Sequence, residues 1–122
     1  MRPVTLRPRD LSVLREIAAR FPVVRTVTVF GSRANGTARR ASDLDLAIFA
    51  PEATGAQWSE IRDALDNAPL IYQLDVVRTD ASANPRLLEK ISREGVSLPE
   101  AVASEPTAPH FANAPSASRP SE

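Results

Sequence analysis

Val23-Val24-Arg25-Thr26-Val27-Thr28-Val29-Phe30 runs directly into Gly31-Ser32-Arg33-Ala34-Asn35-Gly36, and after a short spacer comes Asp43-Leu44-Asp45-Leu46-Ala47-Ile48-Phe49. The first run is rich in β-branched residues and is stopped by a glycine, which predicts a strand. The third alternates carboxylate with apolar side chains and is closed by Pro51, which predicts another. Successive strand residues face opposite ways, so Asp43 and Asp45 share one face and Leu44, Leu46 and Ile48 the other. Two strand rises separate the two carboxylates by ~6.5–7 Å at the backbone, close enough for both to reach shared cations.

Upstream, Asp10 is read as the cap of a helix in which Leu11, Leu14, Ile17 and Ala18 recur at helical spacing, and Pro22 ends it. Downstream, Gly55 introduces a helix carrying Trp58, Ile61 and Leu65. Pro69 restarts the chain as a third strand over Leu70 to Val77, with Leu70, Tyr72, Leu74 and Val76 on one face and Asp75 on the other. Asn84 and Pro85 predict the start of a last helix containing Leu87, Leu88 and Ile91, and Gly95 fits the position just past its end. The expected fold is α/β (α+β): a small mixed β-sheet with helices packed against it.

The 122 residues carry 15 basic and 15 acidic groups, one histidine and no cysteine. That excludes disulfides, thiolate zinc sites and cysteine nucleophiles, and the lone His110 makes a poor candidate for a triad or a histidine metal site. The longest uninterrupted apolar run, Leu46 to Ala50, is far too short to cross a membrane, and a cytoplasmic setting is the default. Pro99 to Glu122 holds five Pro, six Ala and four Ser, a composition that buries too little to order itself. The expected organisation is therefore a folding unit over 1–98 and a disordered tail over 99–122.

The zero net charge conceals segregation. Residues 1–42 carry nine Arg and two acids, whereas 43–98 carry five basic and ten acidic groups. A basic and an acidic segment meeting at one site suit phosphates bridged by cations to carboxylates, although solvated helix faces of differing sign give the same count.

Asp43, Asp45 and Asp75 stand where the strand pattern calls for apolar residues. An acid-only oxygen set with no His or Cys suits Mg²⁺ or Mn²⁺ rather than zinc. Gly31 allows a ligand to approach the backbone, Ser32 adds a hydroxyl, and the N–H groups that follow can face an anion. The loop has neither the Gly-Lys-Ser/Thr ending of a P-loop nor the third glycine of a dinucleotide fingerprint.

Gly31-Ser32, then Asp43-x-Asp45, then a single Asp75 on the next strand resembles the DNA polymerase β-type nucleotidyltransferase superfamily. Phe30-Gly31-Ser32-Arg33-Ala34-Asn35-Gly36 and Ser42-Asp43-Leu44-Asp45-Leu46-Ala47-Ile48 are similar, more narrowly, to the minimal nucleotidyltransferases often called MNT. The resemblance covers about residues 10–98, including the closing Ile91-x-x-Glu94-Gly95-Val96-x-Leu98. Two positions depart from it: Asn35 stands where a basic residue is common, and Pro99 where an aromatic is frequent.

The resemblance implies transfer of a nucleoside monophosphate, AMP from ATP, to an acceptor hydroxyl. It makes Asp43, Asp45 and Asp75 the catalytic and metal-binding residues for two Mg²⁺ ions, with Mn²⁺ as substitute, and makes Gly31, Ser32 and Arg33 the nucleotide-binding residues. Arg33 is either a phosphate ligand or a structural partner of the carboxylates. The implied role is that of an antitoxin adenylylating a tyrosine of a HEPN-type toxin partner. The competing class is a catalytically silent antitoxin that acts by occlusion. No membrane partner is expected, and with few aromatics and no recognisable motif no direct nucleic-acid binding either.

Overall fold

The computed structural model describes residues 2–36, 43–81 and 84–104. Its elements in chain order are β1 (Arg2–Val4), α1 (Pro8–Arg20), β2 (Thr26–Phe30), α2 (Ser32–Asn35), β3 (Leu44–Phe49), α3 (Gly55–Asp66), β4 (Leu74–Arg78), α4 (Pro85–Glu94), β5 (Val96–Ser97) and β6 (Ala101–Ala103). Four strands form one sheet in the order β4-β3-β2-β5. β2 runs antiparallel to β3 and to β5, while β3 and β4 are parallel, joined by α3. The sheet is thus mixed, as expected.

The core lies where the patterns converge. Leu11, Leu14 and Ile17 of α1 and Ile61 and Leu65 of α3 bury their faces against Val27, Val29, Leu44, Leu46 and Ile48 of the sheet. Thr54 caps α3 by accepting from Gln57 N at 3.1 Å, and Asn84 caps α4 by accepting from Arg86 N and Leu87 N, with Pro85 in the first turn. Each cap satisfies backbone donors that have no partner within the helix.

Four sequence readings need correction. Asp10 does not cap α1: Arg7 holds that position, and Asp10, three residues in, accepts from Arg7 N at 3.3 Å and from the Arg7 guanidinium at 2.9 and 2.8 Å. β2 begins at Thr26 rather than Val23, because Val24 N turns back to Phe21 O. Pairing of β4 begins at Leu74, not Leu70, since the chain bends after Pro69, where Leu70 N donates to Ala68 O, and Tyr72 turns into the interior; the alternation of faces survives the bend. Gly95 has φ −71°, extended backbone rather than a left-handed cap. Its lack of a side chain matters instead because a Cβ there would run into the Thr28 methyl group and Ile91 O.

β1 and β6 were not foreseen. They pair in parallel, Arg2 with Ala101 through Val4 with Ala103, so regular structure continues past Leu98 into the segment read as tail. Residues 105–122, and with them the rest of that reading, lie outside the described residues. No described helix is long and apolar enough to cross a membrane.

Candidate functional site

The register of the sheet brings the site together. Asp45 of β3 lies directly opposite Asp75 of β4, and on its other side opposite Phe30, the last residue of β2. Asp43 sits just before β3, one residue outside the strand predicted for it. Asp45 is half-buried, and Asp43 and Asp75 are exposed. Burial pushes the Asp45 carboxyl above the ordinary range, the charges of Asp75 and Asp43 push the same way, and Lys90 of α4 opposes them.

This arrangement holds like charges side by side. No described residue forms an ion pair with Asp43, Asp45 or Asp75, although like charges in proximity disfavour one another's ionised form. A divalent cation with hard-oxygen preference offsets that repulsion, and the donor set, all carboxylate, fits Mg²⁺ or Mn²⁺. Among the described residues no group of three such side chains converges into a ready-made metal cluster, so the apparatus consists of one central carboxylate, Asp45, with an exposed acid on either flank.

Gly31 follows β2 and packs against Asp45. Its backbone is at φ 70°, ψ −149°, a region essentially restricted to glycine, and a Cβ would run into the Asp45 carboxylate. The turn closes as Ala34 N and Asn35 N both donate to Gly31 O at 3.0 Å, leaving Ser32 half-buried beside it. Gly31→Ala is expected to cost ~1–3 kcal/mol in backbone strain alone and to displace Asp45. A melting curve and a nucleotide-transfer assay check this; wild-type values in both would contradict it.

Arg33 is placed differently from the other five sequence-predicted site residues. It is completely buried, its Nη1 donates to Thr5 O at 2.9 Å, and its guanidinium lies 4.2 Å from the centre of the Tyr72 ring. Its partners in this structure include Thr5 and Tyr72. Tyr72 Oη in turn donates to Asp10 Oδ2 at 2.7 Å. Burial alone would raise the Asp10 carboxyl, but hydrogen bonds from Arg7 and Tyr72 outweigh it and hold that acid low. Burial and the bond to Asp10 raise the Tyr72 phenol. Sequence reasoning gave no sign that the charge of Lys90 acts on Asp45 or that Tyr72 links Arg33 to Asp10; the only signals available were that Lys90 and Tyr72 are the sole lysine and sole tyrosine of the chain. Arg39 and Arg40 of the spacer lie outside the described residues.

A concavity of about 670 Å³ lies elsewhere, between α1 and α3, and none of the site residues lines it. The acids stand at the open ends of strands, where a large charged ligand is met from solvent rather than enclosed.

The family described as "Polymerase beta, Nucleotidyltransferase" matches residues 13–101. Among curated proteins none matches the chain in sequence. Among solved structures, a toxin–antitoxin complex with AMP-PNP is 22% identical, covering 73% of this chain and 72% of that one with a TM-score of 0.60. A mutant of the toxin–antitoxin MntA-HpeT is 20% identical over 72% and 71% of the two chains, with a TM-score of 0.59. Both share the fold of this chain.

Proposed function

We propose that this chain, which belongs to the polymerase β nucleotidyltransferase family, transfers AMP from ATP to a hydroxyl of a protein partner and releases pyrophosphate. The observation that carries this reading is the register that sets Asp45 beside Asp75 with Gly31 packed against Asp45. Asp43 and Asp45 would hold two Mg²⁺ ions, and Asp75 would complete the second site. When bound, the ions neutralise phosphate charge and stabilise the entering and leaving oxygens.

The chain's own residues supply the rest. Ser32 and the backbone after Gly31 hold the terminal phosphates, so that the α-phosphorus faces the open side of Asp45 and Asp75. The acceptor oxygen forms a bond to that phosphorus as the bridging bond to the β-phosphate breaks, and the acceptor proton passes to an Asp75 carboxylate oxygen. Lys90, whose charge already reaches Asp45, adds positive potential where pyrophosphate develops.

Two solved structures that share its fold are toxin–antitoxin assemblies, one of them with AMP-PNP. We therefore take the acceptor to be a tyrosine hydroxyl of a HEPN-type toxin, with the chain acting as its cytoplasmic antitoxin. The test is to purify the chain with the product of the adjacent gene, incubate with Mg²⁺ and ATP, and weigh the partner. A mass gain of AMP size is expected, and it should vanish with EDTA. Stoichiometric inhibition of the partner without ATP and without mass gain would overturn this reading in favour of occlusion.

A further inference from the structure

Among the described residues Arg33 is the bulkiest fully buried side chain, yet it directly follows Ser32. A guanidinium is costly to bury, and a methionine or leucine would fill the same space without that cost. What the arginine adds is a set of directional partners. Thr5 N donates to Arg33 O at 2.8 Å while Arg33 Nη1 donates to Thr5 O at 2.9 Å, so one residue of the segment between β1 and α1 holds both the backbone and the side chain of Arg33. On its other side the guanidinium stacks on Tyr72, which is fixed through its hydroxyl to Asp10, itself clamped by Arg7.

α2 has only four residues. One turn of helix fixes several backbone angles in return for few hydrogen bonds and does not persist unsupported. The turn that packs Gly31 against Asp45 therefore needs bracing from outside, and the contacts running from Arg33 to Thr5, and through Tyr72 to Asp10 and Arg7, provide it from the segment before α1, from α1 and from the segment before β4. We infer that Arg33, Tyr72 and Asp10 are positioning residues that hold the Gly31–Ser32 turn in register with Asp45 for nucleotide binding. The inference rests on the nucleotide site proposed above.

Its signature is a split between binding and turnover, which simple core destabilisation does not give. Arg33→Met, measured in the complex with the partner, is expected to raise the Kd and KM for Mg²⁺-ATP about tenfold while kcat changes far less, since a turn out of register loses ground-state phosphate contacts. Arg33→Lys should recover part of the loss. Tyr72→Phe, which keeps the stacked ring and removes only the bond to Asp10, should raise KM about threefold. Leu65→Ala serves as the control: it lies in the core on α3 and should lower the melting temperature without changing KM. The inference is overturned if the Arg33 and Tyr72 variants lower the melting temperature as Leu65→Ala does and leave KM and Kd unchanged. If Arg33→Met does not fold, Tyr72→Phe decides on the same criterion. Wild-type protein that binds no ATP would sink the nucleotide site itself, a failure distinct from variants that bind as tightly as wild type.

Discussion

Asp45→Ala is expected to abolish nucleotidyl transfer, by at least ~10³-fold, in a protein that folds normally and melts no lower than wild type. Loss of activity follows from position: Asp45 lies opposite Asp75 in the sheet and is packed against Gly31. Preserved stability follows from charge. Asp45 is half-buried and disfavoured as an anion first by burial and then by Asp75 and Asp43, so removing it relieves a repulsion that the metal-free protein carries. Asp45→Asn, which keeps the volume, should raise the melting temperature in EDTA while remaining inactive, the trade expected of a residue retained for function against stability. Asp75→Asn tests the same logic at the exposed flank, with a smaller thermal gain. Circular dichroism melts in EDTA and an assay with labelled ATP measure both quantities. Undiminished transfer by Asp45→Ala would remove the mechanism, and a sharply lower melting temperature would make Asp45 a structural residue.

The parts of this site legible in sequence are those governed by local periodicity. Alternation placed Asp43 and Asp45 on the face opposite Leu44, Leu46 and Ile48, and Leu44, Leu46 and Ile48 are all buried while Asp43 is exposed and Asp45 half-buried. Gly31 reads in sequence as a place where a ligand approaches the backbone; the group packed against it in the structure is the Asp45 side chain. Asn84-Pro85 marked a helix start because capping chemistry needs only neighbours along the chain. What was not legible depends on partners distant in sequence. Arg33 read equally well as a phosphate ligand, since nothing adjacent reveals that Tyr72 supplies a ring for it to stack on. Asp10 has the composition of a cap, but its second oxygen is committed to Tyr72, 62 residues away. β1 and β6 are three-residue strands joined across nearly the whole chain, and no periodic signal survives in so short a run.

The second large effect concerns that last pair. A chain ended after Leu98, the boundary composition suggests, is expected to lose at least ~3 kcal/mol relative to one ended after Ser104, a large share of the stability of a domain this small. Among the described residues β6 is the only strand that pairs with β1. With it go the bonds from Arg2 N to Glu100 O and from Ser104 N to Val4 O, both 2.8 Å, and the bond from Arg15 to Ala101 O at 2.7 Å. Each is worth ~1 kcal/mol net. Ala101 leaves the core, and the buried Val4 loses the strand it pairs with, at up to ~1.5–3 kcal/mol if its side chain becomes exposed. Denaturant unfolding at one temperature compares the two chains directly, and superimposable curves would show β6 to be dispensable. The consequence extends beyond stability. Thr5 follows β1 and holds Arg33 by two hydrogen bonds, so loosening β1 releases the support on which the Gly31–Ser32 turn rests. The shortened chain should therefore bind Mg²⁺-ATP more weakly even at temperatures where it remains folded, whereas Leu65→Ala at matched stability should not. On this reading β6 supports the proposed nucleotide site indirectly, through its pairing with β1 and the two hydrogen bonds of Thr5 to Arg33.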